Sequence, residues 1–155
     1  IQDANGVSCT IGNIGEIKLF KNGTWFPVKD LGSFDQDGYY FHHGRADDVI
    51  ISAGWTMSAV EIEDVLLKHT AVEEAAVIGV PDEERGQIVK AFIITKSDEK
   101  TSLVKELQAF TRERLSLHEY PRLIEFTDTI PKTPAGKVNR KILRESTTED
   151  NKRDI

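Results

Sequence analysis

Between Pro131 and Arg144 the chain reads PKTPAGKVNRKILR, with five cations (Lys132, Lys137, Arg140, Lys141 and Arg144) and no acid, in a protein whose formal net charge is −6. A cationic stretch that runs against the global field suits a polyanion. Pro131, Pro134 and Gly136 make it a constrained loop, because proline fixes φ and glycine admits backbone angles that other residues avoid. A lysine on such a loop, Lys137, can be delivered into a cleft. The phosphate-cradling pattern G-x-x-x-x-G-K-[ST] does not apply: it requires glycine where Pro131 stands and Ser or Thr where Val138 stands. The plain alternative is a solvated basic run before a short helix.

Composition narrows what such a loop could serve. The 155 residues are 39% hydrophobic and 30% charged, the make-up of a globular domain of ordinary size. No apolar run approaches the ~18 residues of a membrane span, and no basic-then-apolar leader opens the chain. The negative net charge argues against a nucleic-acid binder. A single cysteine, Cys9, allows no internal disulfide and points to a reducing, cytoplasmic setting. His42, His43, His69 and His118 lack ligand spacing, so no protein-bound metal is expected. The chain begins with Ile in a turn-rich segment, as a fragment of a longer protein would.

The elements that must position the loop follow from turn residues and periodicity. Ile14–Phe20, Thr24–Val28 and Tyr39–His42 are strand candidates separated by Asn22-Gly23 and Asp35-Gln36-Asp37-Gly38. Gly44-Arg45-Ala46-Asp47-Asp48 interrupts them with charge and reads as a hinge. Val49-Ile50-Ile51 opens a new strand, and Ser58-Ala-Val-Glu61 is a capping box for a helix reaching about Lys68, with Ala59, Ile62, Val65 and Leu66 inward. Val72–Val80 and Ile88–Thr95 read as strands around a polar turn bearing Arg85. A second helix from about Ser102 to Leu117 carries Leu103, Leu107 and Phe110 on one face. Leu123–Phe126 is a last strand, Arg140–Glu145 a closing helical turn, and the tail from Ser146 a disordered polar segment. Trp25 and Trp55 read as packing residues. The sum is an α+β fold, a small two-layer domain with a three-stranded sheet and a β-hairpin packed by two amphipathic helices.

Five segments together resemble the AMP-forming acyl-CoA synthetases, the adenylate-forming superfamily that also includes firefly luciferase and the adenylation domains of peptide synthetases. They are Gly15-Glu16-Ile17; Asp30-Leu31-Gly32 with Asp35-x-Asp37-Gly38-Tyr39; Gly44-Arg45-Ala46-Asp47-Asp48-Val49-Ile50; Gly54 with Glu61-Ile62-Glu63; and Pro131-Lys132-Thr133-x-x-Gly136-Lys137-x-x-Arg140. The resemblance implies a two-step ligase, in which a carboxylic acid and MgATP give an acyl-adenylate and CoA then displaces AMP. It further implies that residues 1–45 are the terminal strands of a large N-terminal domain, 46–48 a hinge, 49–145 a mobile C-terminal domain and 146–155 a tail. The expected partner is that N-terminal domain.

Residue by residue, the resemblance makes Lys137 catalytic, bridging the substrate carboxylate and the α-phosphate. It assigns Asp30 and Arg45 to ATP or AMP, through the ribose, and Asp47 to the hinge. Ala53, Gly54 and Trp55 line a pantetheine tunnel, with Gly54 sparing the thiol a β-carbon, while Arg85 and Arg112 meet CoA phosphates. Three positions depart from the family. Val28-Lys29-Asp30 replaces T-G-D, Thr56 replaces an arginine, and Glu119 replaces a frequent lysine. An adenylation domain loading a carrier-protein pantetheine, or a non-catalytic nucleotide-binding module, are the alternatives.

Overall fold

Asn22 and Gly23 both take positive φ, 52° and 78°, and so form the primed two-residue turn whose twist suits a hairpin. They join β1 (Gly15–Lys21) to β2 (Thr24–Phe34), which pairs antiparallel with β3 (Tyr40–Arg45) in the order β1-β2-β3. The β2–β3 turn closes on Asp35, whose Oδ1 accepts from the amides of Asp37 and Tyr39 at 3.0 and 2.9 Å. In the computed structural model, which describes residues 1–3 and 5–153 and the side chains through Thr147, this sheet belongs to one unit, Ile1–Val49. Strand β2 runs six residues beyond the Val28 expected from the apolar pattern, because Asp30 to Phe34 find partners on β3 while Lys29 falls at the irregularity between the Leu31 and Pro27 pairings with β1.

The second unit, Ile50–Ile155, holds the elements around the basic loop. A hairpin of β4 (Val49–Ser52) and β5 (Trp55–Ser58) leads into α1 (Ala59–Leu66). Ser58 is its N-cap, accepting from the Glu61 amide at 3.3 Å, which is the serine half of the expected box. Strands β6 (Glu74–Asp82) and β7 (Gly86–Ile94) pair antiparallel, and β8 (Leu123–Phe126) returns parallel to β7 after α2 (Lys100–Arg112). Such a parallel return needs a crossover, and α2 supplies it.

Alternation along β6 divides the apolar residues between two faces. Ala75 and Val77 join Ile62, Leu66, Leu103 and Leu107 in the main core beneath α1 and α2. Ala76, Ile78 and Val80 turn the other way and pack with Phe92, Ile130 and Leu143. Leu143 lies on α3 (Arg140–Arg153), so a third helix covers part of the sheet's second face. The expected disorder from Ser146 is corrected here. The helix continues to Arg153, and Ser146 and Thr147 bond their hydroxyls back to the Leu143 carbonyl. Helix α2, by contrast, stops at Arg112 rather than Leu117, and Leu117 is exposed. Among the described residues no helix is long and apolar enough to cross a membrane.

One polar contact crosses this architecture. Glu63 sits on the apolar stripe of α1 and is itself buried. Its carboxylate receives Arg140 Nη2 at 2.8 and 2.7 Å, and its Oε1 also accepts from the Val77 amide at 2.7 Å. Arg140 Nε donates to the Val77 carbonyl at 3.1 Å. Removing one member of a buried pair strands the other's charge, which costs about 3–5 kcal/mol. Arg140→Ala should therefore lose about that much stability, read as a lowered denaturant midpoint at unchanged slope; a loss under 1 kcal/mol would show the pair to be dispensable.

Candidate functional site

The basic loop is a tight hairpin. The Thr133 carbonyl accepts from Gly136 N at 2.8 Å, Pro134 occupies the position that favours proline's φ, and Gly136 takes φ 79°. This is a turn followed by a left-handed residue that forms a bulge. Thr133 N donates to the Lys137 carbonyl at 2.7 Å and Asn139 N to the Pro131 carbonyl at 2.8 Å, with Lys132 opposite Val138. The flanking cations are committed to the fold. Lys132 Nζ meets Glu74 Oε2 at 2.8 Å, Arg140 is held by Glu63, and Lys141 lies 3.8 Å from Glu145 one helical turn on. Lys137 is exposed, and its ammonium makes no ion pair among the described residues. Lys132 and Arg140 thus anchor the two ends of the turn that presents Lys137.

In the first unit, Asp30 and Arg45 stand opposite each other in the β2–β3 register, with Arg45 Nη1 3.3 Å from Asp30 Oδ1. That contact is too poorly aligned for a hydrogen bond, and the buried Oδ1 has no hydrogen-bond partner. A carboxylate accepts hydrogen bonds and a guanidinium donates them, so the half-exposed Arg45 can face an anion while Asp30 holds it in place. Lys29, standing where the resemblance expects glycine, takes φ 64°. The backbone keeps the shape a glycine would give it, and the Lys29 carbonyl accepts from Ala46 N at 2.9 Å. Asp47 lies in the turn after β3, where Asp48 N bonds the Arg45 carbonyl at 2.9 Å, two residues before the boundary between units.

The residues expected around the thiol and CoA gather in the second unit. Ala53 and Gly54, at φ 49° and 83°, form the primed turn of the β4–β5 hairpin. A β-carbon on Gly54 would meet nothing within 4 Å, so within this unit the turn's φ, rather than crowding, demands the glycine. Ala53 N donates to the Arg85 carbonyl at 2.8 Å, which brings these two positions together. Trp55 is 58% exposed and stacks on His118, with ring centroids 4.3 Å apart, so the packing expected of it is on the surface. Trp25 is likewise half exposed, resting on Phe20. The Arg112 guanidinium lies 3.8 Å from the centroid of the Tyr120 ring, two residues after His118 in the same loop. Glu119 accepts from the Ser116 amide at 3.1 Å, so this departure shapes the loop.

Glu74 is absent from the sequence reading, and Glu63 and Thr133 stand in it only as motif positions with no role assigned. Glu63 carried a signal, since an acid among Ala59, Ile62 and Leu66 on one helical face calls for a buried cation.

The second unit is thus a small α+β fold that presents an exposed lysine from a clamped loop. Residues 61–137 match the family described as the AMP-binding enzyme C-terminal domain, and the chain belongs to that family. An uncharacterized acyl-CoA ligase of Bacillus subtilis, YtcI, is 38% identical over 166 residues, covering 93% of this chain and 31% of the relative. The human mitochondrial acyl-coenzyme A synthetase ACSM4 is 42% identical over 127 residues, covering 79% of this chain and 22% of the relative. The structure of an anthranilate CoA ligase in complex with anthranoyl-AMP superposes with a TM-score of 0.69 at 32% identity, over 97% of this chain and 32% of that one. The chain thus spans between about a fifth and a third of the relatives it matches.

Holding a side chain in the left-handed region costs ~1–2 kcal/mol, and glycine returns ~0.5–1 kcal/mol of that through the entropy of the unfolded chain. Lys29→Gly should therefore raise stability by about 0.5–1 kcal/mol in a denaturant titration. A fall would mean that the lysine side chain makes a contribution larger than its strain.

Proposed function

We propose that this chain is the C-terminal part of an ATP-dependent acid–CoA ligase, with residues 1–45 ending the large domain, 46–48 a hinge and 49–145 the mobile domain. The observation that carries the reading is the exposed Lys137 ammonium, unpaired among the described residues, on a loop whose ends are anchored by Lys132 and Arg140. In the first half-reaction a carboxylate oxygen attacks the α-phosphorus of ATP, taken as its Mg complex, and pyrophosphate leaves. Two anions must meet, and charge builds on the phosphoryl oxygens. Lys137 is the group that would neutralise it, while Asp30 accepts from the ribose hydroxyls and Arg45 faces the nucleotide. In the second half-reaction the thiol sulfur of CoA attacks the acyl carbonyl, AMP leaves and the thiol proton passes to solvent. Ala53, Gly54 and Trp55 would then border the pantetheine, with Arg85 and Arg112 toward its phosphates. The single cysteine and the bacterial relative favour a cytoplasmic setting.

Removing one preorganised charge-stabilising group typically costs ~10²–10³ in rate. In the complete enzyme, Lys137→Ala should lower acid-dependent ATP–pyrophosphate exchange by that factor while consuming supplied acyl-adenylate and CoA at close to the wild-type rate. Equal loss in both half-reactions would reject the assignment of Lys137 to adenylation.

A further inference from the structure

The bulge that presents Lys137 has an internal consequence. In an unbroken two-stranded ladder the Lys137 amide would bond the Thr133 carbonyl, but that carbonyl is occupied by Gly136 N at 2.8 Å. The Lys137 amide instead donates to Thr133 Oγ1, at 3.3 Å. Thr133 therefore grips the lysine backbone at two points, its own N–H on the Lys137 carbonyl at 2.7 Å and its hydroxyl on the Lys137 N–H. The first contact belongs to the backbone and survives any side chain. The second depends on a hydroxyl at this position.

We propose that Thr133 is a positioning residue for adenylation, its hydroxyl fixing the Lys137 backbone so that the ammonium is aimed; this rests on the reading of Lys137 given above. Two further observations support it. Among the described residues Lys137 has no side-chain partner to hold its four-bond stem, so its direction comes from its backbone. And both ends of the loop are already fixed, by Lys132 on Glu74 and Arg140 on Glu63 and Val77, which leaves the 133–137 segment as the remaining freedom. Reactions between oriented groups are sensitive to displacements of an ångström or less, so a loosened backbone should appear in rate rather than in stability.

The test uses the complete enzyme with Thr133→Val, which keeps the β-branched shape and removes the acceptor, and Thr133→Ser, which restores it. Lys137→Ala is measured alongside. A neutral hydrogen bond contributes about 0.5–1.5 kcal/mol, equivalent to a roughly two- to twelvefold rate. The valine variant should therefore lose about two- to twelvefold in kcat of pyrophosphate exchange, with KM for ATP and the thioester half-reaction unchanged, and serine should recover the loss. Wild-type exchange in Thr133→Val, beside a strong loss in Lys137→Ala, overturns the positioning role and leaves the role of the lysine intact. A loss shared by both half-reactions, or a loss that serine does not repair, also overturns it. If Lys137→Ala itself exchanges normally, the reading of the lysine and the proposal fall together.

Discussion

The second unit depends on the way Glu63 and Arg140 close around Val77. β6 is an edge strand, and at Val77 both backbone groups point away from β7, the N–H into the Glu63 carboxylate and the C=O toward Arg140 Nε. An edge strand with unused backbone groups invites pairing with another chain. Here that edge is occupied by an ion pair whose two members come from α1 and from the start of α3. Measured against two apolar residues of similar volume, a buried ion pair adds little or nothing to stability. Its contribution is geometric: α1, β6 and the basic loop share one fixed point.

The loop uses β6 as a rail. Lys132 reaches Glu74 and Arg140 reaches Val77, three residues further along, or about 10 Å on an extended strand. Between these anchors the chain has only to turn back on itself, and Pro134 and Gly136 make that turn with the backbone angles each prefers. Charge distribution follows from the anchoring. Lys132 is half exposed, and its pair with Glu74 tethers the loop while adding little energy in water. The buried pair holds the other end firmly. Lys137, between them, is exposed and makes no ion pair among the described residues.

Local chemistry made much of this readable in advance. Asn22-Gly23 announced a primed hairpin, Ser58 a helix start, and the β-branched run after Val72 a buried strand. All three rest on interactions between near neighbours in sequence. The errors arose where long-range partners decide. Arg140 reads as one more loop cation until Glu63, distant in sequence, reaches it. Helix α3 outlasts its polar tail because Leu143 finds a core on the sheet's second face. Strand β2 continues past Val28 because β3 supplies partners from Asp30 onward, with a left-handed Lys29 at the irregularity before them. The family resemblance placed the site residues in order, but it did not reveal that Asp30 Oδ1 is left without a hydrogen bond, or that Trp55 lies on His118.

Anchoring also bears on how the proposed two half-reactions could share one chain. A lysine on a floppy loop would sample many positions whatever the rest of its domain did, and turning it on or off would require ordering and disordering the loop itself. A lysine on a hairpin fixed to its domain's own core moves only when that domain moves. Under the ligase reading, a change in a few backbone angles near Asp47 would then carry Lys137 and the Ala53–Trp55 turn together as one body. The buried pair supplies the stiffness that makes such a small hinge sufficient, and the same stiffness leaves the Thr133–Lys137 contact as the place where aim can be adjusted without loosening the fold.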